Sequence, residues 1–201
     1  MKTDHAGDSS PQSQVARLGR GIIGLRYLGM LAGMLLCLST AAGWAEVVDA
    51  VARTIVGKVE WAKPGTTQFE PLRAGDHLAV GSTIRTGKDG VATVVTVPGA
   101  AVRIGADSEL VLNALEFAKA GQKVTKRHAE LDLKSGTVSA LIKNNEPDVT
   151  RFEIKTPHGV AAARGTFYGV TVEKDRSFVL CKEGKVGLQK ATEGEKSSEG
   201  K

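Results

Sequence analysis

Beyond position 45, few residues could carry chemistry. The histidines there are His77, His128 and His158. None stands at the i, i+4 spacing that sets two imidazoles on one helix face for zinc. Cys181 has no second cysteine beyond position 45 to complete a Cys/His set, so no metal site is expected. His77 lies beside Asp76 in a turn-rich stretch. His128 follows Lys126 and Arg127 and is expected at the surface. His158 sits in Thr156-Pro157-His158-Gly159, a turn by its Pro and Gly. Cys181 lies in an apolar run and reads as a small buried residue, because nothing beside it would lower a thiol pKa. Asp107/Glu109 and Glu130/Asp132 are i, i+2 carboxylates that share a strand face and read as solvated surface. No Gly-x-Ser-x-Gly elbow and no phosphate loop occurs. Lys123, Lys126 and Arg127 form a small basic patch without the aromatic faces that single-stranded nucleic acid stacks on. No catalytic residue, no cofactor and no nucleic-acid partner is therefore expected.

One stretch is distinctive, residues 156–170. Ala161, Ala162 and Ala163 let the chain pack closely against a neighbour. Gly165 permits a backbone conformation closed to other residues. Arg164 projects a planar five-donor fork from an apolar run. It is expected to meet a carboxylate or backbone carbonyls and to pin a strand corner.

The elements that would position these residues begin after a separate leader. The 201 residues carry a formal charge of +5 and are 41% hydrophobic. Residues 21–45 hold 17 apolar residues of 25, preceded or interrupted by Arg17, Arg20 and Arg26 and closed by small residues. Gly43 and Ala45 suit the −3 and −1 positions of a signal-peptidase site, so residues 1–45 read as a secretory signal cut before Glu46. Residues 27–45 are also about long enough to span a bilayer if left uncleaved. Past the leader the charge falls to about +3, which favours no polyanion.

Val, Ile and Thr supply 39 of the 156 residues after the leader. Side chains branched at Cβ favour pleated surfaces, and frequent Gly marks turns between short runs. Strands are expected at residues 55–61, 82–86, 91–97, 101–104, 128–133, 137–142, 152–156, 166–173, 177–182 and 186–188. Residues 91–97 are apolar on both faces, which predicts burial on both sides. Lys134-Ser135-Gly136 is expected to be a connecting turn. Residues 110–120 could be a helix by composition and are also compatible with a strand pair bent at Asn113; they are read as strand, and residues 46–53 as a helical turn or irregular lead-in. Residues 191–201 lack large apolar residues and are expected to be disordered.

Ordered motifs carry a resemblance. Gly57-Lys58-Val59 is followed by Leu72-Arg73-Ala74-Gly75, Val80-Gly81, Ile84-Arg85-Thr86-Gly87 and Val102-Arg103-Ile104-Gly105. Leu131 to Val138, with Gly136 in its turn, precedes Thr156-Pro157, Arg164-Gly165-Thr166 and Glu183-Gly184. Over residues 53–190 this order resembles the FecR domain family, named after the periplasmic regulator of ferric citrate uptake. The resemblance implies an exported all-β domain, a curled sandwich or jelly-roll-like fold. It makes Thr156, Pro157, Arg164, Gly165, Thr166, Gly136 and Gly184 structural motif residues. It carries over no catalytic residue. About 20 residues precede the apolar run, too few for an anti-sigma domain. The expected function is a non-enzymatic binding or scaffold module of the cell envelope, periplasmic or secreted, with an envelope protein or glycan as partner. The alternative is a membrane-anchored periplasmic relay that keeps residues 27–45, which is the only case in which the membrane becomes a partner.

Overall fold

The computed structural model describes residues 45–143 and 145–190. They lie in one compact unit. The expectations of a signal segment and of a disordered tail fall on residues 1–44 and 191–201, outside the described residues. The described chain is all-β. Its strands are β1 (Glu46–Val47), β2 (Ala50–Val56), β3 (Val59–Ala62), β4 (Phe69–Pro71), β5 (His77–Leu78), β6 (Thr83–Thr86), β7 (Val91–Val97) and β8 (Ala100–Ile104). They continue with β9 (Glu109–Ala120), β10 (Lys123–Ile142), β11 (Thr150–Thr156), β12 (Gly159–Ala163), β13 (Phe167–Val172), β14 (Ser177–Glu183) and β15 (Val186–Lys190). One 3-10 turn, Pro147–Val149, precedes β11.

The 20-residue strand β10 organises the fold. Its first part, to Ser135, pairs with β9 and β11. Its last part, from Gly136, pairs with β8 and β13. One strand thus passes from one sheet into the other. Sheet A runs β4-β3-β6-β9-β10-β11-β12-β15, with β1 also on β9. Sheet B runs β5-β2-β7-β8-β10-β13-β14. Only β10 and β11 pair in parallel among the described strands.

The turn expected at Lys134-Ser135-Gly136 is therefore a bend within a continuous strand. Gly136 has φ +83°, and a Cβ there would stand 2.6 Å from Ser108 Cα. Ser108 needs that closeness. Its hydroxyl oxygen accepts the Thr137 N–H (2.9 Å), and its own N–H donates to Thr86 Oγ1 (2.9 Å). The Thr86 hydroxyl donates to the Gly105 carbonyl (2.6 Å). This buried polar relay ties β6, the β8–β9 turn and the bend of β10 together.

The core lies between the sheets. Leu110, Leu112, Leu115, Ala129, Leu131, Leu133, Phe152 and Ile154 face inward from sheet A, against Val94, Val102, Ile104, Val138, Tyr168 and Val170 from sheet B. Each of the larger side chains contributes roughly 1.5–3 kcal/mol by leaving water. The bend foreseen near Asn113 is a β-bulge. Register steps from Glu130↔Ala114 to Leu131↔Leu112, and Asn113 is the extra residue. The insertion keeps Leu112 and Leu115 both inward although they are three apart.

Several local readings change. Residues 55–61 are not one strand: Gly57 (φ +65°) breaks them, and β2 belongs to sheet B while β3 belongs to sheet A. Residues 46–53 are neither helical nor irregular, because β9 and β7 supply edges for β1 and β2. Residues 159–163, read only as a closely packing run, form β12 between β11 and β15. Strand β7 is buried on one face only. Ala92, Val94 and Thr96 are buried, whereas Val91, Thr93 and Val95 are half-buried.

Candidate functional site

The distinctive stretch folds into the end of β11, β12 and the start of β13. Thr156 closes the intervening turn: its Oγ1 accepts the N–H groups of His158 (3.2 Å) and Gly159 (3.1 Å) and donates to the Gly159 carbonyl (2.9 Å). Pro157 occupies the turn itself. Gly165 (φ +84°) and Gly184 (φ +88°) come together, since a Cβ on Gly184 would lie 2.5 Å from Thr166 Cγ2 and 3.1 Å from the Gly165 carbonyl. Thr166 is buried, and its carbonyl accepts the Ile142 N–H (2.9 Å). The structure thus gathers Arg164, Gly165, Thr166 and Gly184. Thr156 and Pro157 sit at the other end of β12, and Gly136 lies at the bend of β10.

Arg164 does not pin a corner. It is exposed and has no hydrogen bond or ion pair to another described residue. Alternation along β12 turns it outward, away from the carbonyls of the core. It borders a depression of about 700 Å³ on sheet A, shared with Arg151, Glu153, Ala162 and Lys185. The pinning arginine is Arg127, which the sequence grouped with a surface patch. It is 4% exposed and points inward from β10. Its Nε donates to the Pro98 carbonyl (2.8 Å), one terminal nitrogen to Thr150 Oγ1 (2.9 Å), and the other to Glu146 Oε2 (2.9 Å). It joins the β7–β8 turn of sheet B to sheet A. The buried place expected for Cys181 is also wrong: the thiol is exposed, because β14 is an edge strand whose residues have a neighbour on one side only.

The two outer faces differ in kind. Sheet A's is charged. Lys126 pairs with Glu116, Lys155 with Glu130 (2.9 Å), Lys134 with Asp132 (2.5 Å) and Arg151 with Glu153 (2.8 Å). The hydrogen bond from Lys126 holds the Glu116 carboxyl below the usual range against the opposing effect of burial. Burial raises Glu130, but hydrogen bonds from Lys155 and Asn113 outweigh it and leave the group lowered. Within this face His128, Glu130 and Glu153 bring one ligand atom each to within 4.8 Å of one another. His128 is more buried than its basic neighbours imply, at 20% side-chain exposure. Spacing along the chain could not show the cluster, because Glu153 arrives from another strand.

Sheet B's outer face is largely uncharged along its middle strands. The residues alternating with the buried ones are Val91, Thr93 and Val95 on β7, Ala101 and Arg103 on β8, Thr137, Ser139 and Leu141 on β10, and Phe167, Gly169 and Thr171 on β13. Arg103 is the one charge among these, while Lys182 lies over the Phe167 ring (5.2 Å), Arg176 over the Phe178 ring (5.0 Å), and Arg53 is exposed on β2. On β14, Phe178 and Leu180 extend the face and are 45% and 75% exposed. An antiparallel sheet facing water ordinarily alternates apolar with charged or polar positions. Here the second face of β7 carries the residues of a buried surface with no described layer over it. The signal was legible in the doubly apolar pattern of residues 91–97.

One Ser–His contact occurs among the described residues. His158 Nδ1 lies 2.9 Å from Ser177 Oγ beside a cavity of about 220 Å³. No described carboxylate pairs with this imidazole. No described helix is long and apolar enough to cross a membrane. A family model described as FecR protein matches residues 82–187. No curated protein and no solved structure matches the chain.

Proposed function

The chain belongs to the FecR protein family, and from that premise we propose that it is a non-enzymatic binding or scaffold module of the cell envelope, periplasmic or secreted. It works by docking a protein partner on the outer face of sheet B. The observation that carries this reading is the row Val91, Thr93, Val95, Leu141 and Phe167, none of them charged, with the basic groups Arg103 and Lys182 at its margin. Apolar patches of this kind on a folded domain mark interaction surfaces. The partner should present an apolar surface to the middle of this row, since a charged group placed there would be desolvated without compensation. The non-enzymatic part of the reading is supported by His158 and Ser177, whose pair lacks the third group that orients an activating base.

Site-specific photo-crosslinking in the native cells tests the docking face. A photoreactive residue at Thr93 or Leu141 should give an adduct with the same partner protein, and one at Asp132 on sheet A should not. Adducts from Asp132 alone, or none from either position on sheet B, would overturn the reading. Family membership also favours a relay anchored through residues 27–45. The intact mass of the purified protein separates the two, because a chain beginning at Glu46 has no anchor.

A further inference from the structure

We propose that His128, Glu130 and Glu153 bind a divalent transition-metal ion of the zinc type on the outer face of sheet A. The strands place the three ligands. His128 and Glu130 are two apart on β10 and so share a face. Glu153 is the register partner of Glu130 across the parallel β10–β11 pair, which puts it on that face beside Glu130. Their ligand atoms lie within 4.8 Å of one another. One imidazole with two carboxylates is a donor set that suits zinc, whereas calcium and magnesium take oxygen ligands throughout.

Each carboxylate is held through its Oε1. Lys155 and Asn113 both bond Glu130 through Oε1, leaving Oε2. Arg151 takes Oε1 of Glu153 (2.8 Å), again leaving Oε2. The two cations thereby orient the carboxylates. His128 Nδ1 lies 3.5 Å from Glu116 Oε2, while its Nε2 is buried without a hydrogen-bond partner among the described residues. Buried ring nitrogens ordinarily have a partner, and an orphan one calls for a missing occupant. A proton on Nδ1, held toward Glu116, leaves the Nε2 lone pair as the ligand. This is the arrangement in which a carboxylate behind a histidine sets the tautomer and raises ligand basicity. Lys126 forms an ion pair with Glu116 from the same face. Three protein ligands leave coordination positions for water or for an anionic group, and Glu153 also borders the depression lined by Arg164 and Lys185.

Calorimetric titration of the purified full chain with Zn²⁺ tests the site. One equivalent should bind, and a hundredfold excess of Mg²⁺ should not compete. His128→Gln and Glu153→Gln should abolish binding at this site. Glu116→Gln, which touches the metal only through His128, should weaken it by about 10–100-fold. Asp132→Asn, on the same face outside the cluster, should leave it unchanged. Circular dichroism of each variant establishes that it is folded. Binding that survives His128→Gln in a folded protein, or no binding by the native chain, overturns the proposal. If His128→Gln does not fold, the Glu116→Gln and Asp132→Asn pair decides: equal affinities overturn it.

Discussion

Replacing Arg127 by Ala should cost about 4 kcal/mol of folding stability, while Arg164→Ala should cost less than about 0.5 kcal/mol. Arg127 is 4% exposed and serves three acceptors on two segments, the Pro98 turn and residues 146–150. The Pro98 carbonyl and the Thr150 hydroxyl each lose a bond worth about 1 kcal/mol. The bond to Glu146 is charge-assisted and worth roughly 1.5–3 kcal/mol. It falls toward the lower end because the Glu146 side chain is 28% exposed and can rehydrate. Loss of the buried aliphatic stem adds a further fraction of 1 kcal/mol. Arg127→Met keeps most of the stem and should cost about 3 kcal/mol. Arg164 has no described partner to lose. Urea unfolding followed by circular dichroism reads the difference. With a slope of about 1.5 kcal/mol per molar, Arg127→Ala should lower the midpoint by roughly 2–3 M. A change within about 1 kcal/mol of wild type, or equal losses for the two arginines, would refute the assignment of Arg127 as the clamp between the sheets.

Gly136→Ala should destabilise far more than Gly65→Ala in the same assay. Both have positive φ, but the new Cβ meets Ser108 at position 136 and nothing within 4 Å at position 65. The first should exceed about 3 kcal/mol and the second stay near 1 kcal/mol. Tyr168→Phe should stabilise the protein by about 1 kcal/mol at neutral pH, because the buried Tyr168 hydroxyl has no partner. Burial, aided by the charge of Glu153, pushes its pKa well above the ordinary 10.0. The unfolded chain therefore loses this proton first, so wild type should lose stability as pH rises through 10.0 and beyond, and Tyr168→Phe should lack that part of the loss. Thiol labelling of the folded protein followed by peptide mapping should modify Cys181 rapidly; protection comparable to a core thiol would contradict its exposed place on β14.

The outcome for particular residues separates what local pattern decides from what it cannot. The β class was legible because branched side chains and Gly-marked turns act locally, and β7 occupies the expected span. For residues 110–120 composition left a helix and a strand bent at Asn113 both open, and pairing with β10 selects the strand, with the break in alternation absorbed as a bulge at Asn113. The motif glycines have the positive φ or close approaches that only glycine accommodates, as Gly136, Gly165 and Gly184 show. A charged side chain is different, because its role depends on which acceptors distant segments bring to it. Arg127 and Arg164 look alike in sequence, yet one faces the Pro98 turn and Glu146 and the other faces solvent.

By itself, then, the sequence determined an all-β domain of the FecR family, with its strand periods and obligatory glycines, because these follow from backbone sterics and alternation. Only the tertiary structure decided which face of each strand meets the core, that β10 serves two sheets, and that Glu153 joins His128 and Glu130. Those facts depend on register between strands far apart in the chain. They also turn the doubly apolar β7 from an interior strand into part of an exposed face, because no described layer covers sheet B.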